Sequence, residues 1–184
     1  MASGATFPDA LSGSAAAGSA GGPVLLVTKD AIPASVATEL QRLAPSRIVV
    51  LGGRNTIDEK VVTELGATAP TIRIDGADRF AVSAAVSATA FKEQAHIVYV
   101  ASGAVFPDAL SGSAAAMQNR GPVLLVTADQ IPAAVAAELD RLNPTRIVVL
   151  GGTNTVSDAV KTALAKYLRP VGDGVPTGAA GREP

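Results

Sequence analysis

The chain has 184 residues with no cysteine, no tryptophan and a single histidine, and aromatics make up only 3% of it. Without thiols there is no disulfide framework, no cysteine-bearing zinc site and no thiol catalysis. With only His96 there is no Ser-His-Asp triad in each half of the chain, because the first half has no histidine. Neither half offers the clustered side chains that a metal site needs. An excess of either charge is lacking too: 15 basic and 16 acidic residues leave a formal net charge of −1. Such a balance supplies no general field to recruit nucleic acid or a membrane surface. No uninterrupted apolar run reaches the ~18 residues of a membrane-spanning helix.

What is present is a globular composition, 48% hydrophobic and 17% charged. With few aromatics, the core has to be built from Val, Ile and Leu, with Ala letting helices sit close to a sheet. The small-residue run Ala15-Ala16-Ala17-Gly18-Ser19-Ala20 is similar in composition to the end of a signal peptide. However, Ser12 to Ala17 recurs as Ser111 to Ala116 in mid-chain, and the first basic residue is Lys29. The segment is therefore read as a folded helix.

Self-similarity organises the rest. Residues 2–56 align with 101–155 at a constant offset of 99, without gaps, and 42 of the 55 positions are identical. Phe7 to Ser14 recurs as Phe106 to Ser113, Gly22 to Thr28 as Gly121 to Thr127, and Arg47 to Gly53 as Arg146 to Gly152. Within a copy, short β-branched apolar runs alternate with alanine-rich helical stretches. His96–Val100, Val123–Val126 and Ile147–Leu150 predict strands buried on both faces, as in a parallel sheet. Pro107–Gln118, Pro132–Leu142 and Ser157–Leu168 predict helices, each opened by a proline in its first turn or by Ser157 before Asp158. A strand around Ile74 and a helix over Asp78–Phe91 precede them. The expected fold class is α/β: tandem modules with parallel sheets flanked by helices.

These runs predict an incomplete first repeat over 1–70, a complete one over 71–168 and a Gly/Pro-rich tail over 169–184, read as linker or disordered. Met1 falls where the second copy has Val100, inside a strand. The first copy thus lacks an opening strand–helix pair and leaves an edge open. This pattern suggests a fragment of a longer protein.

Ligands of parallel α/β sheets bind just past the C-terminal strand ends. Ser102-Gly103-Ala104 with Asp108, then Thr127, then Gly151-Gly152 with Asn154-Thr155 fall there. Glycines at such turns let backbone approach a ligand, and a following helix N-terminus favours an anion. The alternative is structural: glycines closing tight turns, Asn154 and Ser157 capping, and Asp108 complementing a helix dipole. No Gly-x-Gly-x-x-Gly follows a strand and no Gly-Lys-Ser/Thr loop exists, which leaves nucleotide binding little support. Asp9 and Asp108 lie one per copy and so form no acid–base pair. Arg42/Arg47 and Arg141/Arg146 repeat as Arg-Leu-x-Pro-x-Arg, a spacing suited to phosphate contact or to a solvated loop.

Four ordered motifs carry a resemblance: Gly76-x-Asp78-Arg79-Phe80, Ala101-Ser102-Gly103-x-x-Phe106-Pro107-Asp108-Ala109-Leu110, Pro122-Val123-Leu124-Leu125, and Ile147-Val148-Val149-Leu150-Gly151-Gly152. Together they resemble the cell wall binding repeat 2 family of Gram-positive surface proteins. The resemblance implies a secreted, non-enzymatic anchor without cofactor, made of Rossmann-like modules. These would pack on neighbouring repeats of the same or another chain about a pseudo-threefold axis and hold an anionic wall polymer at the cell wall or cell surface. The family's Ile-Leu-Leu anchoring motif maps onto Val24-Leu25-Leu26 and Val123-Leu124-Leu125, with Val in place of Ile. With so little net charge, attraction to a polyanion has to be local, at Arg47, Arg79 and Arg146, with Asn55 and Asn154 beside the strand-end turns. The competing expectation is an α/β protein that binds a nucleotide or small anion, or an enzyme, using the same strand-end loops.

Overall fold

The computed structural model describes residues 1–93 and 95–169, and of Phe106 the backbone only. The second copy forms a parallel three-stranded sheet from β5 (Ile97–Ser102), β6 (Val123–Val126) and β7 (Arg146–Leu150), in the order β6-β5-β7. The strands form where the apolar runs predict them, and their pairing is parallel throughout. Helix α5 (Phe106–Gln118) joins β5 to β6, α6 (Ala133–Leu142) joins β6 to β7, and α7 (Asp158–Leu164) follows β7. Ser157 caps α7 by accepting from the Val160 N–H. The last helix stops short of the expected Leu168: its final turn, Ala165–Tyr167, tightens into a 3-10 helix. The tail beyond Arg169 lies outside the described residues.

The first copy repeats this plan. α1 (Pro8–Ser19), α2 (Ala34–Leu43) and α3 (Glu59–Gly66) stand where α5, α6 and α7 stand in the second. β1 (Ala2–Ser3) pairs with β2 (Leu26–Val27) as β5 does with β6. On its other side, the Met1 ammonium donates to the Val49 carbonyl at 2.6 Å and the Leu51 N–H to the Met1 carbonyl at 3.0 Å. This stitches β1 to β3 (Ile48–Leu51).

One strand does not stay with its own repeat. β4 (Thr71–Ile74) opens the second copy in sequence, yet it pairs in parallel with β3 of the first, Ile48 opposite Thr71 and Leu51 opposite Ile74. The short α3 crossover delivers the chain directly to the open side of β3. The sheet pairing therefore crosses the 70/71 boundary expected from the repeat, and the β6-β5-β7 sheet has no fourth strand among the described residues.

Helix α4 (Arg79–Ala90) then returns the chain to the second copy. It is capped by Asp78, which accepts from Phe80 N–H and Ala81 N–H, and packs on α1, β6 and α6. Helices α1 and α5 also pack together: Leu11 of the first copy lies in one buried cluster with Tyr99, Ala101, Ala116 and Leu125 of the second. Ser113 Oγ donates to the Leu11 carbonyl across this contact at 3.2 Å. Small residues permit the close approach, since a Cβ on Gly18 would stand 2.1 Å from Met117 Sδ. Burying a side chain such as Leu124, Leu125 or Leu139 contributes roughly 1.5–3 kcal/mol each.

Candidate functional site

The duplicated strand-end turn is built on a glycine that nothing else can replace. Gly52 and Gly151 have φ of +98° and +112°, a region that L side chains rarely adopt. Each also lies against the aspartate of the Phe-Pro-Asp helix in its own copy. A Cβ on Gly52 would stand 2.5 Å from Asp9 Oδ2, and one on Gly151 2.6 Å from Asp108 Oδ2. In the first copy Gly52 and Asp9 are buried, and desolvation pushes the Asp9 carboxyl above the usual range while the positive charge of Arg79 pulls it back.

Two arginines from the start of the second copy stand by this turn. Arg79, at the first position of α4, donates through Nη1 to the Gly103 carbonyl at 2.6 Å. Arg73, from β4, donates to the Gly52 carbonyl at 2.7 Å, to the Ile57 carbonyl at 2.9 Å and to Glu59 Oε2 at 3.3 Å. Glu59 also pairs with Arg54. Arg73 does not figure in the sequence reading, because β4 occurs once in the chain and its residues have no duplicated partner to draw attention to them.

The residues expected to meet a polymer divide between three places. Arg79, Asn55 and Asn154 are exposed at the C-terminal ends of the strands. Arg47 and Arg146 are exposed at the opposite rim, where β3 and β7 begin, about 13 Å away for a four-residue strand. Neither of these two guanidiniums forms an ion pair among the described residues. The third place is the strands themselves: Val123, Leu124 and Leu125 are fully buried in β6, with no surface to offer a ligand. Val24 and Leu25 are half-buried, and Leu26 is exposed at the edge of β2. No single patch gathers all eleven residues.

The strand-end hydroxyls are largely spent locally. Ser102 Oγ accepts from Ala104 N–H, and Thr127 Oγ1 accepts from Gln130 N–H and donates to the Gln130 carbonyl. His96 is exposed at the start of β5, where its carbonyl accepts from Thr145 and Arg146. Among the described residues no three His, Asp or Glu side chains gather where they could hold a metal ion, and no helix is long and apolar enough to cross a membrane.

Known proteins place this architecture. The chain is similar to the amidase enhancer of Bacillus subtilis (strain 168), 27% identical over 144 residues, and to the N-acetylmuramoyl-L-alanine amidase LytC of the same organism, 25% identical over 144 residues. These alignments take in 78% of this chain but only 19% and 28% of the two relatives, so the chain spans a small part of their length. Among solved structures it superposes on Cwp6 from Clostridium difficile with a TM-score of 0.83 at 25% identity, covering 91% of this chain and 27% of that one. Cwp8 from the same organism gives 0.76 at 25% identity, covering 88% and 28%. The family model described as cell wall binding domain 2 matches residues 1–62 and again 73–161, one match per copy. The chain belongs to the cell wall binding domain 2 family and is a cell-wall-binding module.

Proposed function

We propose that the chain is a non-catalytic module that holds a surface protein noncovalently on an anionic polymer of the wall, outside the membrane, alongside neighbouring repeat modules. The observation that carries the polyanion is the pair Arg47 and Arg146. The duplication sets the same exposed guanidinium at the same strand start in both copies, and neither is engaged by an acidic side chain among the described residues. A guanidinium of this kind suits bidentate contact with phosphate or carboxylate. Two such groups on one rigid scaffold engage a repeating polymer at two points, which raises avidity without any further contact. Arg79 and the strand-end turns with Asn55 and Asn154 offer a separate rim for the same chemistry.

Co-sedimentation with purified walls, before and after extraction of their anionic polymers, tests this reading. Retention is expected on intact walls, falling after extraction and falling with salt, since the screening length shrinks from ~10 Å at 0.1 M to ~3 Å at 1 M. Retention that ignores both extraction and salt overturns the polyanion.

A further inference from the structure

The two copies differ at the base of the second sheet, where its strands begin. Arg120 lies just before β6 with φ of +50°, a left-handed conformation that a residue with a Cβ adopts only at some cost. Its counterpart in the first copy is Gly21, which takes φ of +73° freely. Ala44 and Asn143 are left-handed too, but they end the same helix in both copies, so the repeat itself accounts for them. At position 120 the second copy instead keeps an arginine on a backbone that suits glycine. A basic residue past the end of α5 complements the helix dipole, yet that role asks for no particular neighbours.

The neighbours of Arg120 are largely of one kind. With Phe91, Lys92 and Glu93 it lines a cavity of about 350 Å³ beside the end of α4. Continuing the β5–β6 register, with Tyr99 opposite Val123, back to the strand starts sets His96 opposite Arg120. On the other side of β5, β7 begins with Arg146. Neighbouring strands lie ~4.8 Å apart, so Arg120, His96 and Arg146 form a row along this rim, all three exposed. Neither Lys92 nor Arg120 forms an ion pair among the described residues; Glu93, exposed as well, is the acid in the cavity lining. The C-terminal end of α4, which would repel an anion, is neutralised. Ser87 Oγ donates to Glu138, Arg141 is held by Glu138 through Nε and Nη2 at 2.7 and 2.6 Å, and Arg141 donates to the Phe91 and Lys92 carbonyls at 2.8 and 3.1 Å.

We infer that this cavity is a phosphate site built by Lys92, Arg120 and His96 of the second copy. The first copy has Gly21 in place of Arg120 and does not offer it. A planar guanidinium fork, a compact ammonium and an imidazole N–H arrive on three separate segments: the start of β6, the end of α4 and the start of β5. That set suits a tetrahedral group with three acceptor oxygens better than a planar carboxylate, which a single fork satisfies. The inference deepens the wall-polymer reading and rests on it for the source of the phosphate, a phosphodiester of the polymer. The site itself is tested without walls.

The intact chain is titrated with short-chain inorganic polyphosphate at constant ionic strength and followed by its backbone amide shifts, with polyglutamate as the carboxylate control. Saturable shifts are expected at Lys92, Ala95, His96 and Arg120, with weaker binding of polyglutamate. Arg120→Gly should weaken the affinity for polyphosphate about tenfold or more, the scale of a lost charge-assisted hydrogen bond. Its melting temperature should stay close to the parent's or rise, since glycine takes this φ without strain. Arg47→Gln, in the other copy, leaves the shifts in place. No saturation, unchanged affinity in Arg120→Gly, or equal affinity for polyglutamate overturns the site. Wall sedimentation of Arg120→Gly then identifies the source. Reduced retention supports a wall phosphate, whereas unchanged retention overturns that source and leaves the cavity to a free phosphate compound. Walls that hold the chain regardless of polymer extraction would sink the wall-polymer reading alone, since the polyphosphate shifts would still stand.

Discussion

Arg73 reaches out of β4 to donate to the carbonyl of Gly52, 2.7 Å away in the other copy of the repeat. Its side chain is largely buried, and its contacts with Ile57 and Glu59 draw on the same guanidinium. Arg73→Leu strips two carbonyls of a charged donor, at about 1.5–3 kcal/mol for hydrogen bonds of this kind. Urea denaturation should show that loss. A loss below 0.5 kcal/mol, roughly the size of an ordinary surface change, would mean that the junction does not depend on it.

The anchoring-motif leucines separate packing from contact. Leu125→Ala opens the β6 core and should lower stability by roughly 2–5 kcal/mol. Leu26→Ala, at a half-exposed edge, should cost less than about 1 kcal/mol. If both variants lose wall retention while only the first loses stability, Leu26 acts through contact and Leu125 through packing. Equal melting losses would contradict the difference in burial.

Arg47→Gln combined with Arg146→Gln removes two charges from the surface without touching the core. Wall retention at low salt should fall, and the dependence of retention on salt should flatten, while thermal melting monitored by circular dichroism stays within a degree or two, the scale of a neutral surface change. Undiminished retention would move the polymer to the Arg79 rim.

Asp9 sets a pH dependence. A carboxyl whose folded pKa lies above its unfolded value of 3.8 binds its proton more tightly in the folded state. Its contribution is therefore fullest below that value and declines as pH rises through the folded pKa. Asp9→Asn, neutral at every pH, should be more stable than the parent at pH 7, with the difference closing as pH falls toward 3.8. Denaturant titrations across that range measure the gap, and a gap that widens in acid would reverse the sign.

Much of this architecture is legible in the residues. Val123–Val126 and Ile147–Leu150 read as strands because fully apolar β-branched runs have few other places to go, and Ser157 before Asp158 announces its own cap. The partner of β4 is not legible, because Thr71-Ile72-Arg73-Ile74 fits the edge of either copy equally well. Nor is the contrast between Leu26 and Leu125, since identical residues differ only in what is packed on them. Grouping Arg47, Arg146 and Arg79 as local cations identifies their chemistry, but a sequence does not say that strand starts and strand ends lie at opposite rims. Nor is the role of Glu138 legible, because its partner is a serine on another helix, 51 positions away.

The choice made by β4 has a kinetic side. Ile48–Leu51 and Ile147–Leu150 are the same four residues, and 19 residues separate Leu51 from Thr71 where 72 separate Ile74 from Ile147. The shorter connection favours β3 by about 1 kcal/mol of loop-closure entropy. A chain emerging from its N-terminus meets β3 before β7 exists and has no decision to make. A whole chain diluted from denaturant meets both at once, so a slow refolding phase that vanishes when folding is vectorial is the signature expected of this duplicated edge.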